Sequence, residues 1–404
     1  MATQKVPTLD GSGRVREKHL PAHLTTAAIA AKADTDDVTS LAENAVAGAV
    51  TADMATSFTG VAGWAYGNSW INSANYGAEQ YPLRLPAKTG LAGMTELASS
   101  GFRMQDTAVH ALGTEAPYTW PANRKGFALI GDLLNNLIEP DSTANRNTAL
   151  ESMRATVAVL SAASRIEQTD AIFTYSGTWS TLTATSVSGG TAKYVSHTVS
   201  DITEGVSYFD VAVPAGVNYI CFVGTMAGSA TNGATAIIRE GGTELGRIAT
   251  DDRSVATPYG IAAGTRAPVV FRIPGTTART LRVTLTGTSG TAASHMLLID
   301  CLITQSATPP LIVLVKPVQT LISTHDKPDL LTYLRTIPDT VKAEFGDHVL
   351  VVDPATNWDP ATMLGADLLH PNELGQEHLA NAVVAALKAE MLRRTRVTAF
   401  GALT

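Results

Sequence analysis

The sequence changes its periodicity twice, and that double change limits the possible folds more than any other feature. Residues 56–170 alternate short apolar runs with helical patterns, as a parallel α/β domain does. Apolar stretches at 63–66, 94–97 and 126–130 read as strands. Helices are expected over 78–88 and 148–165, the second because Leu150, Met153, Val157 and Leu160 fall on one face. From 171 to 306 the pattern becomes one of short alternating runs, such as 206–213 and 280–285, between turns rich in Gly and Ser. That alternation predicts an all-β sandwich or jelly roll. After Pro309-Pro310 the first pattern returns. Residues 311–315 read as a buried parallel strand, 327–345 as a helix, 348–353 as a strand, and 372–394 as a helix carrying Leu374, Leu379, Val383, Leu387 and Met391. The prediction is one α/β domain with a parallel sheet, built from 56–170 and 307–394, into which an all-β domain, 171–306, is inserted.

Composition narrows the function classes. A formal net charge of −7 argues against nucleic acid as a main partner. No run of about 18 apolar residues occurs, so no membrane span is expected. Residues 1–7 lack the apolar centre of a secretion signal, so synthesis in the cytoplasm without a signal peptide is expected. Cys221 and Cys301 are the only cysteines, each in an apolar β-like run. They read as two buried thiols or one disulfide, not a zinc cluster, and no metal or cofactor is expected. Residues 1–55 are rich in Ala and Asp with little large apolar surface. They form either a disordered leader or an arm that orders against partner chains. Residues 395–404 read as a tail.

The chemistry-bearing residues cluster where strands of the parallel sheet should end. Asp367 and His370 stand three apart before Pro371, which sits at the entry to the last helix. On so short a loop the carboxylate can bond one ring nitrogen and leave the other to act as a base. Ser69 follows Gly67 in a turn after the first apolar run, where it can be presented as a nucleophile or cap a helix. Gly101, in Ser99-Ser100-Gly101-Phe102, can bring a backbone N–H to a developing oxyanion. Asn135-Asn136 follow the next strand and can supply an amide donor or cap a helix. In the β region, Trp179, Tyr194, Tyr208, Tyr219 and Tyr259 are candidates for stacking on sugars or for core packing. Asp210, Asp251 and Asp252 have no convincing calcium spacing.

Taken together, these residues resemble the SGNH (GDSL) hydrolase family. Gly67-Asn68-Ser69 is similar to the family's Gly-Asp-Ser block, Ser100-Gly101-Phe102 to its glycine block, Leu133-Leu134-Asn135-Asn136 to its Gly-x-Asn-Asp block, and Asp367-Leu368-Leu369-His370 to its Asp-x-x-His block. Asn68 stands where the family has Asp, and Leu133 and Asn136 where it has Gly and Asp. The resemblance implies a three-layer sandwich around the parallel sheet and a catalytic Ser69, His370 and Asp367. It also implies an oxyanion hole of Ser69, Gly101 and Asn135, with Asn136 as the alternative to Asn135. The Leu9-Asp10-Gly11-Ser12-Gly13-Arg14-Val15 segment, followed by Leu20-Pro21, resembles the start of bacteriophage minor tail and tail-fibre proteins. That implies a virion tail tip or fibre, contacts with other tail proteins through the N-terminal arm, and a homotrimer. The combined expectation is a tail-associated serine esterase acting on esters of host-envelope glycans or lipids. The alternatives are a receptor-binding tail protein that keeps the fold without activity, and a secreted carbohydrate esterase unrelated to phage.

Overall fold

The computed structural model describes residues 58–72, 79–113, 126–131, 133–183, 190–197, 206–217, 219–225, 234–249, 266–272, 277–288, 295–305 and 309–401. The arm expected over 1–55 lies outside them, as do Tyr259, Asp251 and Asp252. Contacts separate Phe58–Glu390 from the remainder of the chain.

The first half of the α/β region runs β1 (Ala62–Gly67), α1 (Tyr81–Thr89), β2 (Gly93–Ala98), α2 (Met104–Gly113), β3 (Phe127–Gly131) and α3 (Thr143–Leu160). Proline in the first turn opens α1, and Gly90 closes it in the left-handed conformation with its N–H on the Pro86 carbonyl. Ser142 caps α3 by accepting the Asn145 N–H at 3.2 Å. The helix expected through 165 stops at Leu160, because residues 162–167 are taken by a strand partner far along the chain.

The antiparallel region contains β4 (Ala162–Glu167), β5 (Phe173–Ser176), β6 (Ser180–Thr183), β7 (Thr191–His197), β8 (Tyr208–Val213), β9 (Tyr219–Thr225), β10 (Ala234–Glu240), β11 (Thr243–Ala249), β12 (Arg266–Arg272), β13 (Arg279–Thr288) and β14 (His295–Gln305). One sheet has the order β11-β10-β13-β8-β5 and the other β12-β9-β14-β7-β6, with β4 also paired to β14. Most connections cross from one sheet to the other, the path of a jelly roll. Phe209, Val211, Ile238, Leu281 and Val283 from the first sheet share a core with Val195, Ile220 and Phe222 from the second. The chain thus enters the antiparallel sheets at Ala162, earlier than the boundary expected near 171. Cys221 pairs with Ile303 and Cys301 with Val223, so the cysteines are not cross-strand partners.

The chain then returns through β15 (Leu311–Val315), α4 (Pro328–Phe345), β16 (Val349–Val352), α5 (Pro360–Met363) and α6 (Glu373–Gly401). The tail expected from 395 continues α6 as helix to Gly401. The parallel sheet has the order β16-β15-β3-β1-β2. β3 and β15 are its buried centre: residues 127–130 and 312–314 are fully covered, as in a sheet with helices on both faces. The crossover from β1 to β2 runs one way and that from β2 to β3 runs back. Right-handed connections therefore place α1 and α2 on opposite faces. α6 joins α1 through Gln376, which accepts the Tyr81 N–H at 2.8 Å, while α3 and α4 continue the α2 layer. The order reverses at β1, so a crevice opens at the carboxyl ends of β1 and β3. No helix among the described residues is long and apolar enough to cross a membrane.

Candidate functional site

The turn after β1 is built by two residues. Gly67 has φ +154°, and a Cβ there would lie 2.7 Å from Ile71 Cδ1 and 3.0 Å from the Gly131 carbonyl oxygen. Only glycine lets β1 end so close to β3. Asn68 is fully buried; its Oδ1 accepts the Trp70 N–H at 3.0 Å, and its carbonyl accepts the Ile71 and Asn72 N–H groups. The chain folds over this side chain and leaves Ser69 at the crest, 7% exposed. The bond that makes the turn uses an oxygen, which Asn and Asp both supply. The Asn68 Nδ2 has no partner.

The loop before α6 is equally determined. Asp367 Oδ1 accepts the backbone N–H groups of Leu369 at 3.1 Å and His370 at 3.0 Å, while Leu368 takes φ +60°. The Gly365 N–H donates to the His370 carbonyl at 2.7 Å. Asn372 Oδ1 caps α6 through the Gly375 N–H, and its Nδ2 donates to the Thr362 and Leu364 carbonyls. In this frame Asp367 Oδ2 meets His370 Nδ1 at 2.5 Å, and His370 Nε2 meets Ser69 Oγ at 2.8 Å. Burial raises the Asp367 pKa. The bond from the His370 ring and those from the two N–H groups outweigh it and hold the carboxyl below its ordinary value. A carboxylate that stays ionised, an imidazole it orients and a hydroxyl on the far nitrogen form a chain able to draw the proton off Ser69.

The remaining predicted residues gather around this chain. The Ser99 N–H donates to the Gly67 carbonyl at 3.1 Å, which ties the turn containing Gly101 (φ +83°) to the end of β1. Asn135, on a 3-10 turn (Leu134–Leu137) after β3, donates from Nδ2 to the Phe102 carbonyl at 2.8 Å. Its second amide N–H is available to another acceptor. Asn136 faces elsewhere: its Oδ1 accepts the Met104 N–H at 3.0 Å and its Nδ2 donates to Gln105, fixing the start of α2. Of the two asparagines, Asn135 is the one joined to the Gly101 turn.

The strap between β15 and α4 carries no sequence motif. The Trp358 indole N–H holds the Gln319 carbonyl at 2.9 Å, and the Leu321 N–H donates to the Leu368 carbonyl at 3.0 Å. Lys327 Nζ reaches the carbonyls of Leu137, Ile138 and Glu139 at 2.6 to 2.9 Å. The strap therefore links the His370 loop to the Asn135 turn. His325 lies within it, 5% exposed, its Nδ1 3.3 Å from Thr320 Oγ1. Burial, then the charge of Lys327 and interaction with His370, hold its pKa below the ordinary histidine value. A lone histidine without a partner at fixed spacing left no sequence signal. Trp70, beside the nucleophile, packs against Trp358 with centroids 5.8 Å apart and the rings tilted by 33°.

The β-region candidates behave differently. Trp179 donates its indole N–H to the Ser176 carbonyl and stands edge-on to Phe209, so it packs with the core. The Tyr208 ring is covered on one face by the Arg282 guanidinium at 3.9 Å, and Arg282 also binds Asp210 through both carboxylate oxygens. Among the described residues, no group of three or more His, Cys, Asp or Glu side chains could hold a metal.

No protein-family model and no curated protein matches the chain. Solved structures that resemble it include an exo-β-1,3-galactanase from Phanerochaete chrysosporium with galactose, at 12% identity and a TM-score of 0.24, covering 35% of this chain. The chain spans 29% of that enzyme's length. A family 35 carbohydrate-binding module from Clostridium thermocellum is 18% identical, with a TM-score of 0.25, over 36% of this chain and 99% of the module. A family 6 module from Clostridium cellulolyticum in complex with xylose is also 18% identical, with a TM-score of 0.24, over 35% and 97%.

Proposed function

We propose that the chain is a serine ester hydrolase of the SGNH type. The observation that carries this reading is His370, bonded through Nδ1 to Asp367 and through Nε2 to Ser69. In the proposed reaction His370 accepts the Ser69 proton as the oxygen attacks an ester carbonyl, and Asp367 stabilises the imidazolium. The backbone N–H groups of Ser69 and Gly101 and the Asn135 amide receive the oxyanion, each worth roughly 3 kcal/mol in comparable sites. His370 returns the proton to the leaving alcohol, and water, deprotonated by the same base, releases the acyl group. The substrates proposed are esters on cell-envelope glycans or lipids. The resemblance of residues 9–21 supports a place on a phage tail, with attachment and trimerisation through residues 1–55.

The test is hydrolysis of p-nitrophenyl esters together with labelling by a fluorophosphonate. Ser69→Ala is expected to lower turnover by about a thousandfold or more and to abolish labelling. Undiminished turnover in Ser69→Ala would overturn the assignment. Absence of both turnover and labelling in the parent protein would favour a receptor-binding protein that keeps the fold without chemistry.

A further inference from the structure

Two leucines stand exposed at the turn that carries His370. Leu368 is 46% exposed and Leu321 42% exposed, and the Leu321 N–H on the Leu368 carbonyl joins their backbones. Leu368 belongs to the Asp367–His370 turn itself, and its φ of +60° is a conformation that strains a leucine and suits glycine or asparagine. The backbone bonds of the turn account for the positive φ but not for the side chain. Core packing does not account for it either, because nearly half of the residue faces solvent. A strained backbone and an exposed apolar side chain thus coincide between the carboxylate and the imidazole, and strain of this kind persists where function uses it. Ile138, three residues beyond Asn135, is 53% exposed, and the strap holds its carbonyl through Lys327.

The two lysines at the ends of the strap are both engaged. Lys316 pairs with Asp339 at 2.6 Å, and the Lys327 ammonium is surrounded by three carbonyls. Neither is left to attract a phosphate or carboxylate. We propose that Leu368 and Leu321 form an apolar lip that receives the hydrocarbon of the substrate's acyl group, so that the ester hydrolysed carries an acyl chain of several carbons rather than acetyl. This rests on reading Ser69 as the nucleophile.

The test compares kcat/KM for p-nitrophenyl acetate, butyrate and octanoate in the parent protein, Leu368→Asn, Leu321→Ser and Val206→Ser. Val206 is an exposed residue of the β region and serves as the control. The parent is expected to prefer the longer esters. Each leucine variant should lower the octanoate-to-acetate ratio about tenfold, a size typical of losing a few methylene contacts, while the control leaves it unchanged. Asparagine tolerates the left-handed turn, so Leu368→Asn should fold at least as stably as the parent. A parent that prefers acetate, or a ratio unmoved in both leucine variants, overturns the lip. If Ser69-dependent turnover is absent, the esterase reading falls separately, and octanoate titrated against tryptophan fluorescence decides the lip. Saturable binding weakened by Leu368→Asn supports it, and no saturable binding overturns it.

Discussion

Asn68 makes the turn after β1 with a single oxygen, and removing that oxygen has a definite expected cost. Asn68→Ala leaves the buried Trp70 N–H without an acceptor, so the folded state should lose about 1–2 kcal/mol in denaturant unfolding. Fluorophosphonate labelling of Ser69 should slow with it. His325 makes a second prediction, in pH. Its folded pKa lies below the value of about 6.5 expected unfolded, so the unfolded chain binds the proton more readily. Stability is then lost as pH falls from about 6.5 toward the folded pKa, while Lys327 and His370 face the same group. His325→Gln should flatten the dependence of Tm on pH in that window; His110, also held low by burial, contributes with the same sign and remains. An unchanged slope would remove His325 from the account. The residue types of the site could be read in the sequence because Gly-Asn-Ser and Asp-x-x-His are local patterns. Leu368 and His325 could not, since their significance lies in a backbone angle and in neighbours from other loops.

At the scale of elements, α6 begins where two chain segments touch. A Cβ on Gly375 would lie 2.2 Å from the Met363 carbonyl oxygen and 3.0 Å from Pro371 Cβ. Gly375→Ala must push the start of α6 away from α5 and shift the loop that holds His370. A loss of roughly 1–3 kcal/mol is expected, with a fall in esterase turnover larger than Ala substitution at the exposed Leu374 produces. Strand β15 and helix α4 were legible because a run of five apolar residues and a helical stripe each describe their own burial. The end of α3 was not. Residues 162–167 continue a helical pattern, yet the edge of β14, formed from residues 295–305, pairs with them as a strand and overrides local preference.

Across the whole molecule, the inserted β sandwich and the α/β region share packing. α3 and α2 lie against β12, and Ala108 and Ala155 from those helices belong to the same apolar cluster as Phe209, Ile220 and Val283. Residues 58–390 should therefore unfold in one calorimetric transition, with van't Hoff and calorimetric enthalpies in agreement. Two separated transitions would show the regions to be energetically independent. By itself the sequence determined the two kinds of periodicity, the place where one interrupts the other, and a set of residues capable of acyl transfer. These are properties of neighbouring residues, and each stretch states its own period whatever the rest of the chain does. Only the tertiary structure decided that Ser69 and His370, 301 residues apart, share a hydrogen bond, and that Asn135 rather than Asn136 faces the Gly101 turn. The reason is that such contacts depend on the order of strands in the sheet and the direction of each loop that leaves it, which are settled when complementary buried faces meet.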